Sequence, residues 1–386
     1  HQLGERLDMA NIVKVETGRF DYEVAGSFKF FQSQEDGITR RPSILVRLTD
    51  DEGQVGLGQA VPVPTWTYET AESVLTTLDQ YLARELLGLE TGDFNAVHRV
   101  MNAVIRPAFS VGQPLCKAAV DLAFFDLEGR RQGRSAADLL GGRGRGELLL
   151  SWTVASPDRP VVEEQIIEGL ARGYRNFNIK VGAPQDPEYD LELAARVREI
   201  APEGFLWADA NTGYTVEQAL AMAPRLADAG VEVLESPLPP NEIRGYQVLR
   251  KLGALPILMD EGILSAREAD EFAELGMMDG IALKPARNAG LLPSKAIVEV
   301  MKRRGLMILG SGLTDPDFAL AAAAHLYDWA DVRYPCALNG PQFLTETMVE
   351  PALQVQADRL TVPSGSGLGL DPQPQVLDGL QVVAEV

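Results

Sequence analysis

Cysteine and histidine, two common metal ligands, are scarce in this sequence. Its 386 residues include two cysteines, Cys116 and Cys336, and three histidines, at positions 1, 98 and 325. The cysteines lie far apart and show neither a CxxC pattern nor zinc-type spacing, so neither a disulfide framework nor a zinc site is indicated. We expect two buried, reduced thiols in an intracellular protein.

Positive charge is also in short supply. The chain has 35 Lys and Arg against 55 Asp and Glu, a formal net charge of −20 at pH 7. Such a surface repels a phosphate backbone, so we expect no nucleic-acid partner. It does not attract anionic substrates either, so local attraction must come from a bound cation or from a few lysines.

Long apolar runs and a signal-peptide pattern are absent as well. No run approaches the roughly 20 residues that span a bilayer, so we predict a cytoplasmic protein with no membrane partner. Met9 is a candidate start, which leaves residues 1–8 as either a native extension or an added segment.

The pattern of apolar residues predicts three parts. Residues 1–135 are typical of an α+β domain, with strand-like runs at 12–22, 42–49 and 55–59 and helical patterns at 68–87, 93–102 and 114–132. Residues 136–345 alternate short β-type runs with helix-sized segments. Residues 346–386 are rich in Pro and Gly, and we expect this tail to pack back on the first part.

The middle part predicts a barrel. Its eight β-type runs lie at 148–153, 176–181, 205–209, 231–235, 256–260, 280–284, 306–309 and 331–335. Regular alternation of strands and helices indicates a parallel sheet, and eight units favour closure into an α/β fold of the (β/α)8 TIM-barrel type. An open doubly wound sheet is the alternative.

Five consecutive predicted strands end in a charged residue. These are Lys180, Asp209, Glu235, Asp260 and Lys284. The intervals between them are 29, 26, 25 and 24 residues, one βα unit each. Active sites of barrel enzymes lie at the C-terminal ends of the strands, so we expect these side chains to converge at one rim.

Three carboxylates at one place repel each other unless a cation lies between them. Oxygen ligands with room for water favour Mg²⁺, and no His or Cys at a strand end favours zinc. The alternative is that Asp209, Glu235 and Asp260 cap the following helices or pair with the lysines. Three carboxylates on consecutive strands, flanked by two lysines, favour the metal site.

The two lysines, on predicted strands two and six, lie across the barrel from each other. A buried lysine beside a divalent cation loses part of its protonated fraction and can act as a base near neutral pH. A substrate carboxylate on the metal would have its α-carbon held between the two amines. Removal of the α-proton gives an enediolate, which the metal can stabilise.

The strand-end segments carry a specific resemblance to a known family. They are Lys180, Asp209 with Asn211, Glu235-Ser236-Pro237, Asp260-Glu261 and Lys284-Pro285-Ala286-Arg287. Two segments of the first part add to it, GLGQA at residues 56–60 and AAVDLAFFDLEGR at residues 118–130. Together they resemble, over nearly the whole chain, the enolase superfamily in its mandelate racemase/muconate lactonizing enzyme type.

The resemblance implies a role for each strand end. Asp209, Glu235 and Asp260 would bind one Mg²⁺, while Lys180 and Lys284 would act as acid and base on opposite faces of a small carboxylate substrate. Asn178, Asn211 and Glu261 would lie around the metal and the substrate. The resemblance also implies a homo-oligomer. It implies further that residues 1–135, completed by the tail, form an α+β capping domain whose loops close over the barrel and select the substrate.

The sequence departs from the family pattern at two places. The usual Lys-x-Lys at the end of strand two begins here with Asn178, which removes a positive charge beside Lys180. The eighth unit reads Ala337-Leu338-Asn339-Gly340-Pro341 and lacks the Asp-x-Asp of dipeptide epimerases, which disfavours a dipeptide substrate. A histidine base of the mandelate racemase type is also disfavoured, because His325 lies in an apolar helical segment.

Aromatic residues mark the candidate specificity loops. Phe30 and Phe31 lie in the loop at residues 26–39, and Trp66 lies in the next cap loop; Asn339 is a further candidate. The aromatic residues either line an apolar pocket or pack the cap against the barrel rim.

We therefore predict an isomerase or lyase that abstracts an α-proton. Reprotonation would give racemisation or epimerisation, and cycloisomerisation or loss of water in a dehydratase are the other outcomes. A Schiff-base aldolase that uses Lys180 or Lys284 as nucleophile is a second class. A non-catalytic binding barrel is a third, which the paired lysines disfavour.

Overall fold

The cap begins with an antiparallel sheet. The structure is a computed structural model that describes residues 10–26, 28–31, 33–108, 110–156 and 158–386, so the expectations about residues 1–8 and Met9 lie outside the described residues. The sheet contains β1 (Ile12–Glu23), β2 (Arg40–Asp50) and β3 (Val55–Ala60), joined in that order by antiparallel pairing. The three strands lie where the sequence predicts them.

Both faces of β2 are covered. Ile44, Val46 and Leu48 pack in the core of the cap, while Leu45 points to the other side and joins the large core of the barrel. This alternation follows from the two-residue period of a strand. The cap sheet therefore lies between its own helices and the barrel.

The cap helices follow the sheet. They are α1 (Pro64–Thr67), α2 (Ala71–Thr77), a π-helical turn (Leu78–Leu82), α3 (Ala83–Leu86), α4 (Phe94–Val104), α5 (Pro114–Gln132) and α6 (Ala136–Leu140). The predicted helix at 68–87 starts late, because Tyr68 adopts a left-handed conformation with φ of 55° and Thr70 caps the N-terminus of α2 by accepting a hydrogen bond from the Ser73 N–H.

The barrel strands alternate with helices. The elements are β4 (Glu147–Leu149), β5 (Trp152–Val154), α7 (Arg159–Ala171), β6 (Phe177–Lys180), α8 (Pro187–Ile200), β7 (Leu206–Asp209), α9 (Val216–Asp228), β8 (Val233–Glu235), α10 (Ile243–Leu252), β9 (Ile257–Met259), α11 (Ala266–Glu274), β10 (Gly280–Leu283), α12 (Leu291–Arg304), β11 (Met307–Gly310) and α13 (Asp317–Trp329). Strands β5 to β11 form one parallel sheet in chain order.

The sequence pattern predicts the eighth barrel strand at the wrong residues. Instead of a strand at 331–335, Cys336 and Ala337 make two parallel bridges, to Leu150 and to Ser311. The Ala337 N–H donates to the Gly310 carbonyl over 2.9 Å, and Cys336 bonds to the backbone of residues 149 and 151. These bonds close the ring between β11 and β5, which confirms the predicted barrel and excludes the open sheet.

The predicted first strand at 148–153 is also wrong, because it is two strands. Only β5 belongs to the barrel sheet, whereas β4 pairs with a strand of the tail. α14 (Gly340–Phe343) precedes the tail. The tail itself contains β12 (Val349–Glu350), β13 (Val355–Gln356), β14 (Arg359–Thr361), β15 (Asp371–Pro372), α15 (Pro374–Asp378) and β16 (Gln381–Glu385).

The tail completes the cap through its last strand. β16 pairs antiparallel with β1, as expected for a segment that packs back on the first part. β14 instead lies against β4 beside the barrel. Among the described residues, no helix has the length and apolar character that a membrane span requires.

A layer of apolar side chains fills the barrel below its rim. It consists of Trp207, Val233, Leu258, Ala282, Leu309 and Ala337, one from each of six neighbouring positions around the ring. All six are buried. This packed floor, which is typical of TIM barrels, forces polar chemistry to the C-terminal ends of the strands.

The contact between β3 and α5 gives a stability prediction. A Cβ on Gly58 would lie 1.9 Å from the Ala119 carbonyl oxygen, a backbone atom that cannot move without separating strand from helix. We expect Gly58→Ala to lower the free energy of unfolding by about 3 kcal/mol or more, the upper end for overpacking. Urea denaturation measures this loss.

Gly53→Ala is the matched control. Gly53 also lies in the cap, with φ of 82° and open space around it, so its substitution costs only the left-handed conformation, about 1–2 kcal/mol. Equal losses in the two variants would contradict the close-contact explanation.

Candidate active site

The register of the barrel strands brings the predicted site residues together. Lys180 is the partner of Asp209 in the β6–β7 pair, and Asp209 is the partner of Glu235 in the β7–β8 pair. Asp260 and Lys284 directly follow the last residues of β9 and β10. All five side chains are buried at one end of the barrel.

Sharp turns end two of these strands. Asn211 and Ser236 adopt left-handed conformations with φ of 42° and 41°, which carry the chain away from the rim just after Asp209 and Glu235. The Asn211 N–H donates to Asp209 Oδ1 over 2.9 Å. The Asp260 N–H donates to Ser236 Oγ over 3.2 Å. The first bond orients the Asp209 carboxylate, and the second holds the backbone of Asp260 beside the end of β8.

Each lysine pairs with a carboxylate. Lys180 Nζ lies 2.5 Å from Asp209 Oδ2. Lys284 Nζ donates to Asp260 Oδ2 and also stands 3.6 Å from Glu235 Oε1. The lysines therefore approach the three carboxylates from opposite sides, from β6 and from the end of β10.

Arg287 is a site residue whose role the sequence did not reveal. Its Nη1 donates to Asp260 Oδ1 over 2.6 Å, while its buried Nη2 has no hydrogen-bond partner. The segment that follows Lys284 was visible as part of the family resemblance. What the sequence could not show is that Arg287 folds back on Asp260 and gives this carboxylate a second cation.

Glu235 has the least compensated carboxylate. Its Oε2 accepts a hydrogen bond from Trp207 Nε1 over 2.6 Å, whereas its buried Oε1 has no hydrogen-bond partner. Burial and the negative charge of Asp209 raise the pKa of Glu235 well above its usual range. An unsatisfied buried oxygen of this kind calls for a cation.

The pKa values of Asp260 and Lys180 are set by the charges beside them. Burial raises the pKa of Asp260, but the charges of Arg287 and Lys284 outweigh it and hold the pKa at about 2. Burial lowers the pKa of Lys180, but the carboxylate of Asp209 and that of Glu235 outweigh it and raise the pKa above its usual value. Lys180 is therefore an ammonium group in this arrangement.

The donor set fits a divalent cation such as Mg²⁺. In the part of the chain that the structure describes, no three carboxylate, imidazole or thiol groups stand in the arrangement of a formed metal site. Asp209 and Asp260 are turned to the lysines instead. Buried oxygens without a hydrogen-bond partner nevertheless remain on Glu235, Asn211 and Glu261, and all-oxygen donors suit Mg²⁺.

Asn211 and Glu261 lie beside the carboxylates as expected. Asn211 Nδ2 donates to Glu261 Oε1 over 3.2 Å. Burial, followed by the negative charge of Asp260, raises the pKa of Glu261. These two residues bridge the ends of β7 and β9 at the edge of the predicted metal site.

Asn178 faces the wall of the barrel rather than the carboxylates. Its Oδ1 accepts hydrogen bonds from Ser151 Oγ at 2.8 Å and Thr153 Oγ1 at 3.1 Å. Asn339 Nδ2 donates to the same Thr153 hydroxyl over 3.4 Å, and its own buried Oδ1 has no partner. Asn178, Thr153 and Asn339 thus form a neutral polar row on one side of the interior.

Trp66 forms the roof over the lysines. Its ring centroid lies 5.9 Å from Lys180 Nζ and 6.0 Å from Lys284 Nζ, so the indole is almost equidistant from the two ammonium groups. Phe30 stacks on Trp66 with ring centroids 4.1 Å apart and planes at 8°. Phe31 instead packs between Phe28 and Arg41 inside the cap. The predicted specificity residue Phe31 thus contacts the cap interior, and Phe30 is the residue that joins the roof.

His325 and the two cysteines have structural roles. His325 Nε2 lies 3.2 Å from the Leu368 carbonyl, and burial lowers its pKa to about 4. Cys116 and Cys336 are free and buried, which confirms the prediction of two buried, reduced thiols. These three residues add no chemistry at the rim.

The chain matches two family models. Residues 31–141 match the mandelate racemase/muconate lactonizing enzyme N-terminal domain. Residues 162–376 match the enolase C-terminal domain-like family. The two matches cover the cap and the barrel in turn.

Its relatives include enzymes and solved structures. Chloromuconate cycloisomerase of Cupriavidus necator is 30% identical over 339 residues, which cover 86% of this chain and 90% of the relative. The structure of 2-chloromuconate cycloisomerase from Rhodococcus opacus 1CP has a TM-score of 0.85 at 26% identity and covers 96% of this chain and 98% of that chain. Muconate lactonizing enzyme from Pseudomonas putida has a TM-score of 0.87 at 25% identity, with coverage of 96% and 100%.

Glu235 offers a test of cation binding that needs no substrate. Mg²⁺ at about 100 times its Kd should stabilise the native chain by about 2.7 kcal/mol, seen as a rise in Tm. We expect Glu235→Gln to abolish this rise, because the amide still accepts from Trp207 but carries no charge. Without Mg²⁺ the variant should melt at or above the wild-type Tm, since it loses a buried carboxyl group that is costly to ionise there.

Glu299→Gln is the control for this experiment. Glu299 is exposed on α12, so its loss should leave the Mg²⁺-dependent rise in Tm intact. A Glu235→Gln variant that still gains the full wild-type stabilisation would remove Glu235 from the ligand set.

Proposed function

The chain belongs to the mandelate racemase/muconate lactonizing enzyme family of the enolase superfamily and is an isomerase, and from this premise we propose that it moves the α-proton of a carboxylate substrate with the help of Mg²⁺. The observation that carries the proposal is the position of Lys180 and Lys284. Their ammonium groups lie at almost equal distances from the Trp66 ring, on strand ends that flank those of the three carboxylates. A carbon held under the indole would have an amine on each side.

The three carboxylates are the proposed cation ligands. Asp209, Glu235 and Asp260 would hold Mg²⁺, which would supply positive charge opposite the substrate carboxylate, where negative charge grows as the α-proton leaves. Trp207 fixes one oxygen of Glu235, and Arg287 fixes one oxygen of Asp260. Hydrogen bonds of this kind keep charged groups in place during a reaction.

The lysines are proposed to hold and move the proton. In the arrangement described, Lys180 is an ammonium group paired with Asp209 and is ready to act as an acid. To act as a base it must lose one proton, which becomes easier when the charge of Asp209 is offset by another cation. Lys284 occupies the same position on the opposite face, so one lysine can accept a proton while the other donates.

The relatives favour cycloisomerisation among the possible outcomes. The named relatives are muconate and chloromuconate cycloisomerases, and we propose that this chain belongs with them in reaction type. Racemisation or epimerisation uses the same two lysines, and a dehydratase would use one of them as acid. NMR of a carboxylate panel in D₂O separates the three: lactone formation, deuterium uptake with inverted configuration, or loss of water.

The Schiff-base alternative is disfavoured by the ion pairs. A lysine nucleophile must be a free amine, whereas the raised pKa of Lys180, which burial alone would lower but Asp209 and Glu235 raise, keeps it protonated. Lys284 pairs with two carboxylates. Borohydride trapping with a carbonyl substrate tests this alternative directly. A cytoplasmic location and a homo-oligomeric state stay predictions.

Removal of either lysine should stop proton transfer on one face of the substrate. We expect Lys180→Met and Lys284→Met each to lower kcat by about 100-fold or more, the usual contribution of a positioned acid or base. If the lysines serve opposite faces, each variant should retain deuterium exchange from one enantiomer of a racemisable substrate only. NMR in D₂O measures both effects.

Lys251→Met is the control, because Lys251 is exposed at the C-terminal end of α10, away from the rim. It should match the wild-type kcat. Full activity in either rim variant would contradict the proposed role of that lysine.

The pH dependence tests the effect of the neutral residue beside Lys180. Activity that needs Lys180 as a base rises as pH rises through its pKa. A cation at position 178 disfavours a second positive charge nearby and lowers that pKa. We therefore expect Asn178→Lys to move the corresponding limb of the pH–rate profile to lower pH. An unchanged profile would mean that residue 178 does not influence the base.

A further inference from the structure

Asn288 is a buried polar residue that the proposed proton chemistry leaves unused. Its side chain, 2% exposed, bonds to two backbone groups. The Lys284 N–H donates to Asn288 Oδ1 over 3.2 Å, and Asn288 Nδ2 donates to the Ile263 carbonyl over 2.6 Å. A side-chain amide carries an acceptor and a donor on one planar group, so it can join two backbone segments at a fixed spacing.

The two segments that Asn288 joins carry a proposed metal ligand and a proposed base. Ile263 lies in the turn after β9, where its N–H donates to the Asp260 carbonyl over 2.9 Å. Lys284 directly follows β10, and its carbonyl accepts from the Asn288 N–H over 3.0 Å. The Lys284 backbone is thus held on both its N–H and its carbonyl by Asn288, and through the amide it is tied to the Asp260 turn.

The register of the sheet does not hold Lys284 in this way. The ladder between β9 and β10 ends with the pair Met259–Ile281, so Asp260 and Lys284 both lie beyond it. Lys180, in contrast, is itself a member of the β6–β7 ladder. The two lysines therefore have different anchors, one in the sheet and the other in a side-chain amide.

The ion pairs of Lys284 are a poor substitute for that anchor. Its Nζ donates to Asp260 Oδ2 and stands 3.6 Å from Glu235 Oε1, and both carboxylates are proposed cation ligands. Lys284 loses these contacts when a cation takes the same oxygens, and the position of the amine then depends on its backbone. A misplacement of about 1 Å at a reacting group can cost about 100-fold in rate.

We propose that Asn288 is a positioning residue for Lys284, whose backbone it fixes relative to the Asp260 turn so that the amine stays directed at the reacting carbon. The inference rests on the proposed function, in which the two lysines serve opposite faces of the substrate. Since Lys180 is anchored by the sheet, loss of the Asn288 amide should affect one face only.

Two variants of similar shape test the amide, and a third is the matched control. Asn288→Leu makes neither bond, whereas Asn288→Asp keeps the acceptor for the Lys284 N–H and loses the donor to Ile263. The control is Asn176→Leu. Asn176 is also buried, and its Oδ1 accepts from the Phe205 N–H over 2.9 Å at the N-terminal end of β6, the far end of the barrel from the lysines.

Deuterium exchange shows which face is affected. NMR in D₂O with Mg²⁺ follows uptake at the α-carbon of both enantiomers of lactate, malate and 2-methylsuccinate, and the Lys180→Met and Lys284→Met variants assign each enantiomer to a lysine. We expect Asn288→Leu to slow exchange of the Lys284 enantiomer by about 100-fold and to leave the other at the wild-type rate. Asn288→Asp should show a smaller loss on the same face.

The control and a crystal structure separate positioning from stability. Asn176→Leu should lower Tm as Asn288→Leu does, yet keep the wild-type ratio of the two exchange rates. In crystals of Asn288→Leu grown with Mg²⁺, we expect Lys284 Nζ to shift by about 1 Å or more relative to the wild type, while Lys180 and Asp209 keep their places. This second readout needs no substrate.

Each outcome decides the role of Asn288. Equal losses for both enantiomers, or an unmoved Lys284 in Asn288→Leu, overturn it. If neither variant folds although Asn176→Leu does, Asn288 is a purely structural residue and the inference also fails. Absence of exchange in every protein, the wild type included, with Lys284 displaced in Asn288→Leu overturns the proton chemistry and leaves the positioning role standing.

Discussion

The mouth of the barrel depends on the pairing of buried carboxylates with buried cations. Asp209 lies out of contact with water because Lys180 stands beside it, and two cations do the same for Asp260. Glu235 receives less compensation, which raises its pKa through burial and the charge of Asp209. The oxygens that bind the lysines are also the predicted ligands of Mg²⁺. Cation binding and the protonation of Lys180 are therefore coupled, because a cation that takes Asp209 weakens the contact that keeps the proton on the lysine.

The strand ends could be predicted because parallel strands align equivalent positions. Lys180, Asp209 and Glu235 are direct neighbours in the register, and their spacing along the chain already implied this. The eighth barrel position escaped prediction, since only Cys336 and Ala337 pair there and two residues carry no periodic signal. β4 escaped for another reason: its partner β14 lies more than 200 residues away, and pairing at that separation leaves no local pattern.

The aromatic side chains around Trp66 show a different limit of prediction from sequence. Phe30 and Phe31 are adjacent and chemically alike, so the sequence cannot tell which one contacts Trp66 and which one packs inside the cap. The loop geometry decides this. The role of Arg287 was hidden for the same reason, because its contact with Asp260 depends on how an irregular segment folds back rather than on a repeating register.

The cap and the barrel are tied together next to the site. The guanidinium of Arg41, buried on β2, donates to the carbonyls of Val61 in the cap and of Leu313 and Thr314 in the barrel. Two of its five backbone acceptors lie in the barrel and three in the cap, so this one guanidinium joins the base of the roof to the rim. The proton transfer that we propose belongs to side chains whose positions follow from strand register, whereas the predicted specificity loop is anchored at its base by Arg41. A change in the loop at residues 26–39 can alter the substrate without disturbing the lysines, since the two are joined through Trp66 and not through the barrel strands.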